Sequence, residues 1–417
     1  MLFDITSYNQ YILFFTFIIF IPTLIWIFRK NYISIIDPLT IHLIWTASHL
    51  SFLIAYIYKH GISTLPLFFI FILLLYTGLY KNFLKKNKID IIKRPIEDFE
   101  HKIKSIKRVF IALVLFNLIA KYNLFIYILN NRDISSWFLY KFVEMQGRDP
   151  ILRILSTATQ IYLLYYAFLM FAVVKRWKFF VIITYLLIIC LEVLTGSRSV
   201  LLGVIFNIGL CIFYFRSYFN PVAIQKFSRR GVILSSLALV AFIIVSAFYS
   251  ENYSLIDGFS IMINRFFAAG DGLEYYMNYN GLIKIKSGIG EFIYSIFGIY
   301  IKRFTGEGYK NVGQQLSELV LGDLEFTQGP NYTLLLQVMV IGFQYFLFYV
   351  PFIAFVSAKL RAIRFKSINF TSLSYFLSAT SFLIVIDLEF WVLNFVSGLL
   401  FFFIIIYPLS NFSLKVR

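Results

Sequence analysis

The run LEVLTGSRSVLLGVIFNIG, Leu191–Gly209, sets Glu192 and Arg198 at the tip of a hairpin between two apolar segments. Charges are costly at membrane depth, so an ionisable residue there reads first as functional. The two segments, 179–194 and 199–215, are each about 16 or 17 residues and roughly 25 Å long as helices. That is a little short of a hydrocarbon core of about 30 Å. The turn Thr195-Gly196-Ser197 therefore sits at or below the outer interface. Arg198 either lines a cavity there or snorkels to the headgroups and holds the hairpin at depth.

The rest of the chain repeats the hairpin's character. Of 417 residues, 60% are hydrophobic and only 14% charged, and the mean hydropathy is +0.79, which indicates an all-α polytopic membrane bundle with no soluble enzyme domain. The 50 Phe and 29 Tyr exceed what an interfacial belt needs; they either stack on carbohydrate or face lipid. Met1–Asn9 has no basic n-region, so the first span is expected to be retained. Cys190 and Cys211 fall in adjacent spans at opposite depths, which argues against a disulfide or a thiolate metal site. His42 and His49 share one helix face and suit interhelical hydrogen bonds better than metal ligation. His60 lies in a short outer turn and His101 in a basic loop, so neither a metal nor a cofactor is expected.

Eleven spans can be drawn, at 11–28, 38–58, 65–80, 109–129, 156–174, 179–194, 199–215, 231–250, 333–358, 370–386 and 390–407. Alternate connections then collect the positive charge: Arg29-Lys30, the basic loop 81–108, Lys175–Lys178, Arg216–Arg230, Lys359–Lys366 and the tail with Lys415 and Arg417. By the positive-inside rule that side is cytoplasmic, with the N-terminus outside and the C-terminus inside. The net charge of +17 thus reports topology and attraction to anionic lipids, and gives no reason to invoke nucleic acid. The stretch 288–301 is about 14 residues long and contains Glu291, which suits a re-entrant or interfacial helix. Two outer connections are long: 130–155, about 26 residues, and 251–332, about 82 residues. Loops of that size usually carry function.

The larger loop holds INRFFAAGDGLEYYMNYNG, Ile263–Gly281, where Arg265 precedes Asp271, Tyr275 and Tyr276. A guanidinium fork suits phosphate, and tyrosines suit sugar hydroxyls. An Arg–Asp pair ordering a surface loop is the plainer alternative. Lys302-Arg303 forms a further cationic point near the headgroups, where basic residues also commonly cap interfacial helices. Three separated outward arginines, Arg198, Arg265 and Arg303, together suit the diphosphate of a lipid carrier, whose departure needs charge stabilisation but no general acid. A carboxylate to deprotonate an attacking sugar hydroxyl would come from Asp271, Glu325 or Glu192. Asp387 and Glu389, at the outer junction of the last two spans, could reach the same cavity but read as solvated turn residues.

Three features carry a resemblance: TGSRS at an outward hairpin tip, NRFFAAGDG opening the large loop, and the run Ser295–Gly342. In that run a basic residue after an apolar segment leads to a small and polar stretch and then a Gly-containing span. In these, the part from Phe179 to about Ala358 resembles bacterial O-antigen polymerases of the Wzy type, while the first half matches only in hydropathy. The arginine-to-glycine spacing discussed for some members occurs from Arg198 to Gly209 but not from Arg265, where Tyr276 stands at the corresponding position. The resemblance implies a GT-C-like fold and an undecaprenyl-diphosphate-linked oligosaccharide substrate. It also implies block transfer of the growing glycan at the periplasmic face of the inner membrane, without metal or nucleotide sugar. A chain-length regulator protein is a typical partner of that family.

The related O-antigen ligases resemble enzymes with a histidine in the large external loop, and 251–332 contains none. A lipid-linked oligosaccharide flippase is expected to have short loops on both sides and charges spread through the bundle. A cysteine at position 310, with Cys190 and Cys211 replaced by alanine, should react with an impermeant maleimide in intact cells. Labelling only after permeabilisation would overturn the span count.

Overall fold

The computed structural model describes residues 7–31, 36–86, 102–131, 150–194, 206–212, short pieces between 225 and 259, 267, 271–305, 310–322, 330–365 and 367–411. Their regular structure is all helical. In chain order the elements are α1 (Gln10–Phe28), α2 (Leu39–His60), α3 (Thr64–Lys86), α4 (Ile103–Ile119), α5 (Tyr122–Asn130), α6 (Pro150–Val173) and α7 (Lys178–Leu194). After them come α8 (Asp271–Asn278), α9 (Gly281–Lys284), α10 (Ile289–Thr305), α11 (Val312–Leu321) and α12 (Leu334–Ile341). The last group is α13 (Phe346–Ala362), α14 (Thr371–Thr380), α15 (Leu383–Ile386), α16 (Leu388–Phe401) and α17 (Tyr407–Asn411), with a π-helical turn between the last two.

Among the described residues, five helices are long and apolar enough to cross a membrane, or six if the bent pair α4–α5 forms one span. Three of the expected spans are not continuous; one of them, 370–386, divides into α14 and α15. The segment 333–358 breaks at Gly342, whose φ of 110° ends α12, and the helix of spanning length is Phe343–Ala362, α13 with the short turn before it. The segment 109–129 bends by 44° between α4 and α5. The segments 199–215 and 231–250 lie largely outside the described residues.

Two apolar clusters form the interior. One joins α1, α2 and α3 with α8, α12 and α13; the other joins α4, α6 and α7 with α14 and the later part of α16. α2 is the central helix of the first, with 78% of its spanning window buried, against 17% for α1 at the periphery. At the seam of the second, Gly398 lets α16 meet the Phe376 ring, and Phe376 stacks on Tyr162 at 4.9 Å. A Cβ at Gly398 would sit 2.0 Å from that ring, so no larger residue fits.

Contacts at the helix ends fall into two sets. On one side Asp37 meets Arg361, Lys102 meets Asn369, the Ser105 hydroxyl donates to the Ser410 carbonyl at 2.8 Å, and Lys107 lies over the Trp177 ring. On the other, Tyr8 meets Glu274, Tyr56 meets Asn278, and Leu388 N–H donates to the Tyr332 carbonyl. The first set joins connections that the charge pattern puts on the basic side, the second those on the acidic side. α10 is a single helix from 289 to 305, with Ile289, Ile293 and Phe297 forming an exposed apolar stripe, while Ser295 faces inward. An exposed apolar stripe of this kind suits a helix lying at the headgroups.

Arg361, counted among the basic residues of the 359–366 loop, is 3% exposed. Its guanidinium donates to both carboxylate oxygens of Asp37 at 2.8 Å, and Asp37 also accepts from Leu39 N–H at 2.8 Å. The pair ties the start of α2 to the end of α13. Removing one partner leaves a buried charge, so Asp37→Ala or Arg361→Ala should each lower stability by about 3–5 kcal/mol. The double change Asp37→Leu with Arg361→Met should recover most of that. Thermal unfolding in detergent reads both, and single variants that melt like the parent would refute the pair's role.

Candidate functional site

The end of the bundle on the acidic side is assembled around one buried amide. Gln337 on α12 is fully buried; its Nε2 donates to the carbonyls of Tyr332 at 3.0 Å and Ile384 at 2.8 Å, and its Oε1 accepts from the Tyr349 hydroxyl at 2.8 Å. A buried amide satisfied in this way fixes the elements around it. Here it fastens α12 to α13 and to the chain before α16. Ser295 Oγ of α10 lies 3.2 Å from the Tyr332 hydroxyl, and the Tyr300 hydroxyl of the same helix donates to the Val392 carbonyl at 3.5 Å. α10 therefore lies along the first turns of α16.

On that frame stand two carboxylates. Glu389 is 8% exposed, which corrects the expectation of a solvated turn residue. Its Oε1 accepts from Val312 N–H, the first residue of α11, at 3.2 Å. Asn311 and Gln314 cap the same helix reciprocally. The carboxylate thus sits at the positive end of a helix, which compensates its burial. Asp387 caps α16, its Oδ1 accepting from Phe390 N–H at 3.1 Å. Burial pushes its carboxyl up to about 6, against the downward pull of the Phe390 and Glu389 backbone N–H groups. α15 and α16 supplied no sequence signal for this, because only tertiary packing sets the burial of 387–389.

α8 closes the site from the long loop. The Tyr8 hydroxyl donates to Glu274 Oε1 at 2.5 Å, with Lys59 Nζ 4.4 Å from the Tyr8 ring centre. Burial first, and then the Glu274 bond, raise Tyr8 above the ordinary tyrosine range. Gly272 lies against Pro330 and Leu336, where an added Cβ would meet them at 3.0 and 3.1 Å. Asp271 therefore begins α8 beside the chain leading into α12.

Of the residues expected from sequence, Arg198, Arg265 and Glu325 lie outside the described residues. The backbone places Asp271 at the start of α8, Glu192 in the last turn of α7, and Lys302 and Arg303 in the last turn of α10. The backbone brings Asp271, Asp387 and Glu389 to one end of the first cluster, while Arg303 lies one helical turn beyond Tyr300 on α10. Tyr275 and Tyr276 are 3% and 4% exposed and pack into that cluster, Tyr276 against Phe69. Their rings do not reach solvent. The two histidines also pack by stacking: His42 lies on Tyr80 at 4.9 Å, and His49 Nδ1 contacts the Trp45 carbonyl of its own helix at 3.0 Å.

The assembled groups, acidic and hydroxyl-bearing, can take a proton from a hydroxyl and bind a polar, hydroxylated molecule. No protein-family model matches the chain, nor does any curated protein or solved structure.

A raised carboxyl pKa means the folded state holds its proton longer than the unfolded chain. Asp387 therefore adds most stability below pH 4, and that contribution is lost as pH rises through about 6. Asp387→Asn should flatten this dependence and be more stable than the parent by about 1–2 kcal/mol at pH 7, after allowance for partial exposure. Melting curves between pH 5 and 8 test it; a variant that melts lower than the parent at pH 7 contradicts the assignment.

Proposed function

We propose that the chain polymerises undecaprenyl-diphosphate-linked oligosaccharide repeat units into O-antigen or a similar surface polysaccharide. On this reading it is a GT-C-like bundle of the bacterial inner membrane that works at the periplasmic face, with 251–332 as its external lobe. The observation that carries it is Asp387, a partly buried carboxylate whose pKa burial raises to about 6, at the same end as Glu389 and Asp271 and packed with α10. A base for a sugar hydroxyl needs such a value.

The acceptor hydroxyl oxygen attacks the anomeric carbon of the growing glycan as that carbon's bond to the diphosphate oxygen breaks. The diphosphate leaves with the bonding electrons, and Asp387 takes the hydroxyl proton. Arg198, Arg265 and Arg303 compensate the charge gathering on the diphosphate. Neither metal nor nucleotide sugar has a part in this scheme. A chain-length regulator would act on the same external lobe.

A transporter of the same lipid-linked units is the second reading, favoured by charges inside the bundle: the Asp37–Arg361 pair and Lys121, 5% exposed. Deleting the gene separates the readings on a lipopolysaccharide gel. Single-unit glycan indicates a polymerase, unattached polymer a ligase, and loss of all units a transporter. Within the polymerase reading, Arg198→Ala, Arg265→Ala, Arg303→Ala and Asp387→Asn should each give normal membrane expression with glycan limited to one unit. Lysine at the arginine positions should rescue poorly, because an ammonium cannot reproduce a bidentate fork. Long ladders from the Arg198 and Arg265 variants would defeat the site assignment.

A further inference from the structure

At the basic end of the second cluster, the start of α4, the later part of α6, the turn before α14 and the end of α17 form a cleft. Half-buried Lys102, Asn369 and Ser410 stand at it, and buried Ile106, Tyr166 and Leu169 line it. Counted to its open mouth it has about 320 Å³ of free space, with an inner volume of about 30 Å³. The inner volume suffices for a water molecule or one phosphate oxygen. Lys102 Nζ donates to Asn369 Oδ1, a neutral acceptor, and no carboxylate pairs with it among the described residues. Burial lowers its pKa from the ordinary lysine value, as expected of a cation without a counter-charge. The wall beside Ser410 is irregular. A π-helical turn, Phe402–Ile406, joins α16 to α17, and such turns recur at functional sites. Within it Phe403 and Ile404 are exposed, while Phe370, next to Asn369, packs on Phe402 and Tyr407.

Basic pockets between spanning helices bind lipid headgroups, because a cation there gains an anion from the membrane surface. The apolar lining and the exposed Phe403 and Ile404 favour an amphiphile over a free ion. We propose that the cleft holds the phosphate of an anionic glycerophospholipid from the leaflet on the basic side. One phosphate oxygen enters against Lys102, the rest of the headgroup stays at the mouth, and the acyl chains run along Phe403 and Ile404. The lipid thereby reinforces the tie between α4 and α17, where the Ser105 hydroxyl already donates to the Ser410 carbonyl at 2.8 Å. The site is independent of glycosyl transfer. A soluble phosphate presents the same chemistry to Lys102.

Melting of the full-length protein in maltoside detergent, titrated separately with phosphatidylglycerol, phosphatidylcholine and inorganic phosphate, tests this. Phosphatidylglycerol should raise the melting temperature saturably, and the other two should not. Lys102→Met should raise the half-saturating lipid fraction about tenfold or more, as loss of a charge-assisted contact does, and Lys102→Arg should restore most of it. Lys104→Met removes an exposed charge from the same helix end without touching the cleft, and should leave that fraction unchanged. Ser410→Phe should weaken binding by closing the mouth with Lys102 intact; the Ser105 bond, made to the Ser410 backbone, survives it. Equal losses in Lys102→Met and Lys104→Met would mean diffuse charge attraction and overturn the site. So would a half-saturating fraction unmoved in both Lys102→Met and Ser410→Phe, or no saturable shift with any probe. If inorganic phosphate matches phosphatidylglycerol, with the same dependence on Lys102, the lipid is overturned and the ligand is a soluble phosphate compound.

Discussion

Hydrocarbon offers no partner to a polar group, and this constraint shapes every unusual contact in the protein. Asp37 and Arg361 are 324 positions apart in sequence, yet neither can be buried without the other. Their meeting sets the depth of α2 against α13, and α2 in turn presents His42 to the aromatic pair of Tyr76 and Tyr80. Gln337 plays the corresponding part at the other end, where one carboxamide holds three backbone or hydroxyl groups that would otherwise be orphaned. The ion pair and the amide hold opposite ends of the first cluster.

Between these anchors the spans are ordinary apolar helices, and the chemistry collects where they stop. Breaks supply the irregular backbone that a site needs. Gly342 separates α12 from α13, so that α12 can stand as a short helix under Tyr332. The junction between α15 and α16 turns Asp387 and Glu389 toward the helices of the long loop. At Lys121 the break between α4 and α5 falls within an otherwise apolar stretch.

The proposed chemistry falls at one of these ends. Carboxylates and hydroxyls gather around α10, α11 and α16, where an acceptor sugar would lose its proton.

Sequence alone determined the class, since stretches of about 17 to 25 apolar residues in a membrane have no alternative but helices. It also read 288–301 as a short interfacial segment, where the protein has the 17-residue α10 with an exposed apolar stripe. Composition could not reveal which polar residues are enclosed. Asp387 and Glu389 look like any turn in sequence, Arg361 looks like one more loop cation, and Lys121 and Asn117 vanish inside a hydrophobic average. Burial is a property of neighbours distant along the chain. Only the packing of α10 and α11 on α16, of α2 on α13 and of α4 on α6 decided where those charges and amides lie, and hence which of them can do chemistry.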